Sequence, residues 1–245
     1  MAESLKGRRI LVTGAASGMG MAIARLFADK GAGLALLDRN EAGVRALAEE
    51  IGAVGVGCDV ADRSEVNMAV AQADKSLGGI DGVINAAGII TKTHIADLEP
   101  ESWDRMIAVN LTGPYNIVRA ALPMLQAAER STIVNIASVS ALMPMAGTSG
   151  YSASKAGLAM FTKCLAFDLG PKIRANSICP GVIKTEMTRF LWEDPEHSAR
   201  ASGRVALKRL GVPEDVAKAA LFFSTEDSGF TTGTEFPVDG GFSWR

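Results

Sequence analysis

Along the whole chain, short apolar runs rich in β-branched residues alternate with longer amphipathic segments. The short runs predict strands, and apolar residues that recur every three or four positions predict helices. The predicted strands are residues 10–13, 34–37, 54–58, 82–85, 132–137, 173–178 and 234–238. The predicted helices are residues 18–30, 41–51, 62–77, 101–128, 151–169 and 213–224. This alternation predicts an α/β fold in which helices cover both faces of a parallel sheet.

The chain of 245 residues is long enough for one sizeable core, and no linker or internal repeat divides it. We therefore expect one domain over residues 1–245. Residues 184–204 break the rhythm, because charged residues mix there with Met187, Phe190 and Trp192 without a clear period. Long irregular inserts in compact domains are often functional. We interpret this segment as a substrate lid, and the alternative is an ordered pair of surface helices.

Composition argues against several classes of protein. The 25 Lys and Arg residues balance 27 Asp and Glu residues, without the basic excess of a nucleic-acid binder. No run of about 18 apolar residues is present, so we expect no membrane span. The cysteines, Cys58, Cys164 and Cys179, are odd in number and far apart, which favours a reducing compartment. The first residues lack the apolar core of a signal peptide, and we expect a cytoplasmic protein.

Glycine is over-represented, with 26 residues where average usage gives about 17. Gly14, Gly18 and Gly20 lie between the first predicted strand and the first predicted helix, in a turn that also contains Ser17 and Met19. Glycines there permit a tight turn and let the backbone approach a pyrophosphate, beside the unpaired N–H groups of the helix N-terminus. The turn predicts a dinucleotide-binding loop. The alternative is a tight turn without a ligand.

Two later strands end in a carboxylate. Asp38 lies 18 residues after Gly20, where a carboxylate can accept hydrogen bonds from an adenosine ribose. A carboxylate there also repels a 2′-phosphate, so we expect NAD in preference to NADP, although the neighbouring Arg39 favours a phosphate. The alternative for Asp38 is a polar residue at a helix start. Asp59 and Val60 end the third strand, where Asp59 lies near the adenine amino group or caps the next helix.

The fourth predicted strand ends in Asn85-Ala86-Ala87-Gly88, a run of small residues. Small residues let a backbone lie directly against a ligand. This turn, like the three before it, follows the carboxyl end of a strand, where open α/β sheets bind ligands. Asn85, Ala86 and Gly88 are therefore predicted to contact the cofactor.

The residues with acid–base chemistry come later in the chain. Tyr151 and Lys155 are four positions apart in a predicted helix and so share one face. A nearby ammonium favours the phenolate and lowers a tyrosine pKa, so the pair can exchange a proton in carbonyl chemistry. Ser138 precedes Tyr151 by 13 residues, and its hydroxyl can hold a substrate oxygen. Asn110 is a polar residue in an apolar helical setting, where a buried, satisfied amide is the alternative.

Neither metal chemistry nor serine hydrolysis is predicted. His94 and His197 are the only histidines, and no cluster of Cys, His or carboxylate residues has ligand spacing, so we expect no catalytic metal. Ser138 also lacks the G-x-S-x-G elbow that exposes a nucleophilic serine in α/β hydrolases.

Taken together, the motifs resemble those of the short-chain dehydrogenase/reductase family over essentially the whole chain. They are, in order, TGAASGMG from Thr13, NAAG from Asn85, Asn110, Ser138, YSASK from Tyr151, and Pro180-Gly181. The resemblance implies a single doubly wound Rossmann-like domain with a seven-stranded parallel sheet in the order 3-2-1-4-5-6-7. It also implies direct hydride transfer between a nicotinamide cofactor and the substrate carbon.

The resemblance assigns a role to each site residue. Tyr151 would be the general acid/base, and Ser138 would orient the carbonyl. Lys155 would bind the nicotinamide ribose and lower the pKa of the tyrosine. Asn110 would hold a water in a proton relay. The segment that holds the nicotinamide carboxamide would contain Pro180, Gly181, Ile183 and Thr185.

We therefore expect an NAD(H)-dependent oxidoreductase that interconverts a secondary alcohol and a ketone. Its small-molecule substrate would contact Ser138 and Tyr151, with Met145 and Trp192 in an apolar pocket. The family resemblance also implies that the apolar segment 233–242 packs between subunits, in a homotetramer or a homodimer.

Two alternatives remain at this point. One is a 3-oxoacyl-acyl-carrier-protein reductase, which usually prefers NADPH and would need basic residues near its mouth, such as Arg130, Lys172 and Arg174, for an acidic carrier. The other belongs to a different class, a non-catalytic dinucleotide sensor or scaffold. The intact set of Asn110 and the Ser–Tyr–Lys residues argues against this second alternative.

Overall fold

Residues 4–243 are described by the computed structural model, and a seven-stranded parallel sheet runs through them. Its strands are β1 Arg9–Thr13, β2 Gly33–Asp38, β3 Val54–Gly57, β4 Gly82–Asn85, β5 Ser131–Ile136, β6 Ile173–Pro180 and β7 Glu235–Val238. Their order is 3-2-1-4-5-6-7, and every neighbouring pair is parallel. The predicted fold class and strand order are confirmed. Residues 1–3 and 244–245 of the predicted domain lie outside the described range.

Helices cover both faces of this sheet. In residues 4–243 they are α1 Gly18–Asp29, α2 Glu41–Ile51, α3 Arg63–Leu77, α4 Pro100–Ile107, α5 Gly113–Ala127, α6 Ser149–Leu169, α7 Pro195–Gly203 and α8 Pro213–Ser224. The helices α1, α2 and α8 bury their apolar sides in one core cluster. The helices α3, α5 and α6 bury theirs in a second cluster on the other face. Each face of the sheet therefore has its own core, as expected for parallel strands buried on both sides.

The register of the strands brings four loop starts to one edge of the sheet. Thr13, the last residue of β1, pairs with Leu37 in β2 and with Asn85 in β4. Asn85 in turn pairs with Asn135 in β5. The loops that leave the carboxyl ends of these strands are therefore neighbours, and they form the edge at which the predicted site residues lie.

The predicted helical region 101–128 is divided into three parts. Between α4 and α5, residues Ala108–Thr112 form a turn of π-helix. Pro114 lies in the first turn of α5, where a missing N–H is tolerated, and Pro123 lies inside that helix. A π-helical turn is often found at a functional position. This turn carries Asn110.

Segment 184–204, the predicted lid, contains a short 3₁₀ helix, Glu186–Leu191, followed by α7. Asp194 caps α7, because its carboxylate accepts from the N–H groups of Glu196 and His197, both at 2.9 Å. The segment is thus an ordered pair of surface helices, as the alternative interpretation had it. Its motion over a substrate stays a prediction.

The three basic residues considered for a carrier protein lie at the amino ends of two strands. Arg130 and Lys172 immediately precede β5 and β6, and Arg174 is the second residue of β6. Arg174 is half-buried and donates to the carbonyl oxygens of Phe223 and Thr225. The amino ends of parallel strands lie opposite the edge where the site residues gather, so within one chain these three residues lie away from that edge.

Candidate active site

The turn between β1 and α1 is built from glycines because its backbone is crowded. Gly14 has a φ of +68°, a conformation that other residues rarely adopt. A Cβ on Gly20 would lie 2.1 Å from the Gly14 carbonyl oxygen. The helix α1 begins at Gly18, and the Ser17 side chain makes no capping hydrogen bond. The N–H groups of the first turn of α1 therefore stay available to an anion.

Asp38 lies beside this turn with a fixed carboxylate. One of its oxygens accepts from the Ala16 N–H at 3.0 Å, and the other accepts from the Asn40 N–H at 2.9 Å. Asp38 and the neighbouring Arg39 both line the cleft at the carboxyl edge of the sheet. The fold thus places Asp38 next to the glycine turn, and the same cleft also contains the positive charge of Arg39.

Asp59 and Val60 line the same cleft, and Asp59 has a partner that the sequence did not predict. Its Oδ2 lies 2.6 Å from a guanidinium nitrogen of Arg105 in α4, and its Oδ1 accepts from the Ala61 N–H at 2.9 Å. Burial opposes ionisation of Asp59, but these two contacts outweigh it and hold the pKa of the carboxyl below its usual value. The partners are 46 positions apart in the chain, so no local pattern could have joined them.

The end of β4 approaches the glycine turn through its backbone. The Ala86 and Ala87 N–H groups donate to the Thr13 hydroxyl, at 3.1 Å and 3.2 Å. Ala86 and Gly88 line the cleft, as predicted. Asn85 does not: its side chain is buried, and its Nδ2 donates to the side-chain Oδ1 of Asn135 at 2.8 Å. The Asn85 amide nitrogen thus joins β4 to β5, and a contact of Asn85 with the cofactor stays a prediction.

Three predicted cofactor residues of one segment, Pro180, Gly181 and Ile183, are not part of the lining of this cleft. Pro180 and Ile183 are buried, and Ile183 forms a β-bridge with Gly211. Gly181 packs so closely on Asp239 that a Cβ added to Gly181 would lie 2.8 Å from the Cβ of Asp239. Of this segment, Thr185 lines the cleft. Further lining residues that the sequence analysis did not select are Ala87, Ile89, Arg105, Val109, Glu186 and Met187.

The predicted catalytic residues Tyr151, Lys155 and Ser138 come together where β5 and α6 meet. Ser138 follows β5, and its hydroxyl lies near enough to the phenol of Tyr151 on α6 to favour the phenolate. The Nζ of Lys155 is buried, donates to the Ile136 carbonyl oxygen at 2.7 Å and lies 5.9 Å from the centroid of the Tyr151 ring. Their four-residue spacing in α6 puts both side chains on the face toward the strand ends.

Burial dominates the electrostatics of this pair. Burial raises the pKa of Tyr151, and the nearby Ser138 hydroxyl offsets only part of that increase. Burial also lowers the pKa of Lys155 to about 8. A lowering of the tyrosine pKa by Lys155 stays a prediction.

Asn110 uses its side chain to join two elements of the site. Its Oδ1 accepts from the Ile89 N–H at 2.8 Å, and its Nδ2 donates to the Ile89 carbonyl oxygen at 2.9 Å and to the Ser154 hydroxyl at 3.0 Å. It is fully buried. The amide is therefore satisfied by protein groups, in line with the alternative interpretation, and a water held by Asn110 stays a prediction.

The predicted substrate residues lie on loops at the other side of Tyr151. Met145 is half-buried, and its sulfur accepts from the Ser140 hydroxyl at 3.3 Å. The Trp192 indole donates to the Thr185 carbonyl oxygen at 3.1 Å, so it is tied to a residue that lines the cleft. Contact of Met145 or Trp192 with a substrate stays a prediction.

The described part of the chain has neither a metal cluster nor a membrane-spanning helix. Among residues 4–243, no three His, Cys, Asp or Glu side chains lie close enough together to hold a metal ion. In the same range, no helix is both long and apolar enough to cross a membrane.

Comparisons with known proteins agree with this geometry. A family model described as enoyl-(acyl carrier protein) reductase matches residues 14–243. The 2,5-dichloro-2,5-cyclohexadiene-1,4-diol dehydrogenase LinX of Sphingobium indicum is 34% identical over 249 aligned residues, which cover 99% of each chain. This chain belongs to the short-chain dehydrogenase/reductase family. Members of the family bind nicotinamide dinucleotides and are oxidoreductases.

Other proteins similar to this short-chain dehydrogenase/reductase are named for different substrates. The 3-oxoacyl-acyl-carrier-protein reductase FabG of Thermotoga maritima is 35% identical over 97% of this chain and 98% of its own length. The gluconate 5-dehydrogenase of Burkholderia cenocepacia, solved with NADP and tartrate, is 32% identical and superposes with a TM-score of 0.94, over 99% of this chain and 97% of its own. The relatives therefore leave the choice between NAD and NADP open.

The cleft of this short-chain dehydrogenase/reductase fits a dinucleotide. It is open to solvent, and it runs past the glycine turn, Asp38, Asp59 and Gly88. A Cβ on Gly14 would lie 2.7 Å from the Ala87 backbone, and one on Gly88 would lie 3.3 Å from the Lys155 Nζ. The glycines thus keep clear the floor of the cleft between the N-terminus of α1 and the buried ammonium.

Proposed function

We propose that this chain is an NAD(H)-dependent dehydrogenase that interconverts a secondary alcohol and a ketone, with Tyr151 as its general acid/base. The observation that carries the proposal is the grouping of three side chains: the Ser138 hydroxyl lies near the Tyr151 phenol, and the buried Lys155 ammonium lies 5.9 Å from the centroid of the tyrosine ring. A phenol, a hydroxyl and an ammonium beside a dinucleotide cleft suit proton transfer to an alcohol oxygen. The relatives support the coarser assignment, an oxidoreductase.

Each of the three side chains has a distinct task in this proposal. Nicotinamide, when bound, supplies the hydride donor or acceptor. Ser138 holds the substrate oxygen by a hydrogen bond, and Tyr151 gives that oxygen a proton in reduction or takes its proton in oxidation. The Lys155 ammonium stabilises the phenolate, which takes the proton of the alcohol in oxidation and is left behind when Tyr151 gives its proton in reduction, and it would donate to the nicotinamide ribose. It thereby opposes the burial that raises the pKa of Tyr151.

The preference for NAD rests on Asp38. Its carboxylate is held in place by two backbone N–H groups beside the glycine turn, where it can accept from ribose hydroxyls. The same charge repels a 2′-phosphate at short range. Arg39 acts in the opposite sense, but its side chain is exposed and long, so it can move away, whereas Asp38 is fixed.

A second candidate is a 3-oxoacyl-acyl-carrier-protein reductase. It is favoured by the similarity to the Thermotoga maritima FabG and by the description of the matching family model. It is opposed by Asp38, and by the distance of Arg130, Lys172 and Arg174 from the edge of the sheet that carries the cleft. The non-catalytic sensor is opposed by the assembled set of Tyr151 and Lys155 with the nearby Ser138.

We also propose that the enzyme is a homotetramer or homodimer in the cytoplasm. Large apolar side chains on the outer face of α6 are exposed, with Met160 at 57% and Phe167 at 90%, which is unusual for the surface of a monomer. Cys58, Cys164 and Cys179 are all free, as is common in a reducing compartment. Light scattering at several protein concentrations tests the assembly, and a monomer throughout would contradict it.

The decisive experiment is a substrate screen that follows NADH absorbance with secondary alcohols, polyols, sugars, hydroxysteroids and 3-hydroxyacyl thioesters. We expect turnover of a secondary alcohol with NAD, and Tyr151→Phe should reduce it by about 10²- to 10⁴-fold while NADH binding stays nearly intact. Full activity of Tyr151→Phe would refute the mechanism. Reaction of the thioesters alone, with NADP, would favour the carrier-protein reductase.

A further inference from the structure

The ion pair between Asp59 and Arg105 spans the wall of the dinucleotide cleft. Asp59 follows β3, whereas Arg105 lies on α4, and both line the cleft. Their charged atoms are 2.6 Å apart, and the two side chains are 24% and 37% exposed. A half-buried guanidinium–carboxylate pair with a short hydrogen bond is more rigid than a pair in open solvent. The wall therefore contains one carboxylate whose direction is set by a side chain from another element of the fold.

The carboxylate of Asp59 still has room for another donor. An ionised carboxylate offers about four acceptor positions. The Ala61 N–H occupies one on Oδ1, and Arg105 occupies one on Oδ2. Among the described residues, no other hydrogen bond to this carboxylate is present. Asp59 is thus fixed in direction and remains able to accept an N–H group from a ligand in the cleft.

The helix that supplies Arg105 is itself held firmly. Met106 is fully buried, and a Cβ on Gly150 would lie 2.6 Å from its Cε. Trp103 packs on the same glycine, with its Cε3 3.2 Å from that position. Gly150 precedes Tyr151, so α4 rests against the start of α6. The guanidinium of Arg105 is therefore mounted on a helix that cannot shift without disturbing the catalytic end of the site.

We propose that Arg105 is a positioning residue, which presets the Asp59 carboxylate to accept a hydrogen bond from the exocyclic amino group of adenine. This inference rests on the proposed function, because it requires a dinucleotide in the cleft. Without Arg105, Asp59 would have to be immobilised when the cofactor binds, and ordering one such side chain weakens binding by a few-fold to about tenfold. The loss of affinity should appear only for ligands that contain the adenylate half of the cofactor.

The test compares ligands that contain or lack the adenylate half. Binding of NADH, ADP-ribose and reduced nicotinamide mononucleotide is measured by fluorescence titration or calorimetry. In Arg105→Gln, we expect the Kd of NADH and of ADP-ribose to rise about tenfold. The Kd of reduced nicotinamide mononucleotide should stay within about twofold. The matched control is Arg130→Gln, which removes a 2.8 Å ion pair with Glu226 at the opposite edge of the sheet and should change none of these values.

A double-mutant cycle tells whether Arg105 acts through Asp59. If it does, the double variant Asp59→Asn with Arg105→Gln binds ADP-ribose no more weakly than Asp59→Asn alone. Unchanged NADH binding in Arg105→Gln, or equal losses for the mononucleotide, would overturn the inference and leave the proposed function standing. Absence of NADH binding to the unmodified protein would overturn both.

A second variant covers the case in which Arg105→Gln does not fold. Arg105→Lys keeps the charge but loses the planar guanidinium that matches a carboxylate. We expect it to fold, to weaken NADH and ADP-ribose binding by a smaller factor than tenfold, and to leave the mononucleotide unaffected. NADH affinity equal to that of the unmodified protein would overturn the inference here as well.

Discussion

The two halves of the site are built in different ways. In the cofactor half, backbone turns follow the ends of the strands, and side chains such as Asp38 and Asp59 are fixed by backbone N–H groups. The half predicted to bind the substrate consists of loops and short helices, and large apolar side chains there are exposed, with Phe190 at 52% and Leu142 at 38%. The first half is fixed by the strands that its turns connect to, whereas the second is fixed mainly by a few contacts among its own loops and short helices.

This difference separates what the fold determines from what it leaves free. A turn that must bring a backbone against a pyrophosphate permits few residue types, so its chemistry is readable as a pattern. A loop that contacts a substrate only needs side chains of the right size and polarity, and many sequences satisfy that. The cofactor half should therefore be intolerant of small changes, whereas the substrate half should tolerate large ones with modest effects.

The most severe test of the rigid half is Gly20→Ala. The added Cβ would lie 2.1 Å from the Gly14 carbonyl oxygen, so the turn must open. We expect a loss of about 1–3 kcal/mol in the free energy of unfolding and a loss of NADH affinity on the order of 100-fold. Thermal denaturation and fluorescence titration measure the two effects.

The control for that change is Gly203→Ala at the end of α7, where an added Cβ meets no atom within 4 Å. It should keep NADH affinity and gain at most about 1 kcal/mol of stability, because alanine restricts the unfolded chain more than glycine does. Equal behaviour of the two alanine variants would contradict the crowding that we ascribe to the phosphate turn.

The choice of cofactor gives the next largest effect. Asp38→Asn removes the charge that opposes a 2′-phosphate but keeps an oxygen that can accept from the Ala16 or Asn40 N–H. We expect the ratio of kcat/KM for NAD to that for NADP to fall by at least about tenfold. The companion variant Arg39→Gln should move the ratio in the opposite direction. A ratio unaffected by Asp38→Asn would remove the role proposed for this carboxylate.

Sequence reasoning succeeded where neighbouring residues carry the information. The parallel sheet follows from the alternation of strands and helices, whereas its strand order was implied by the family resemblance. The cluster of Ser138, Tyr151 and Lys155 follows from one strand end and one helix repeat. It failed for contacts between distant segments, such as Asp59 with Arg105, which are 46 positions apart. It also could not tell that Asn85 turns its amide toward Asn135, because a side chain at a strand end can face the sheet or the ligand.

A pH titration probes the buried ammonium of Lys155, which lies between the cofactor half and the substrate half. Burial lowers the pKa of Lys155 to about 8, so its ammonium is present below pH 8 and is lost as the pH rises above that value. If the ammonium donates to the nicotinamide ribose, the Kd of NADH should be constant from about pH 6.5 to 7.5 and rise several-fold, up to about tenfold, by pH 9.5. Fluorescence titration at each pH measures it.

The variant Lys155→Met supplies the comparison for this titration. Its NADH affinity should already be weak at pH 7 and should not change further up to pH 9.5, because the titrating group is gone. If the Kd of NADH for Lys155→Met rose by the same factor up to pH 9.5, the pH dependence would belong to another group. In that event Lys155 would have only its structural hydrogen bond to the Ile136 carbonyl oxygen.

The smallest effect is expected from Phe190→Ala in the substrate half. Its ring lies 5.4 Å from the Lys92 Nζ, a contact between the predicted lid and the loop after β4. Loss of one exposed contact of this type is worth about 0.5–1 kcal/mol, so the KM for the alcohol should rise about two- to fivefold while the Kd of NADH stays constant. Steady-state kinetics and NADH titration separate the two, with the exposed Met68→Ala in α3 as control. If Phe190→Ala instead lost NADH binding as severely as Gly20→Ala, the segment would belong to the rigid half, and the distinction between the halves would fail.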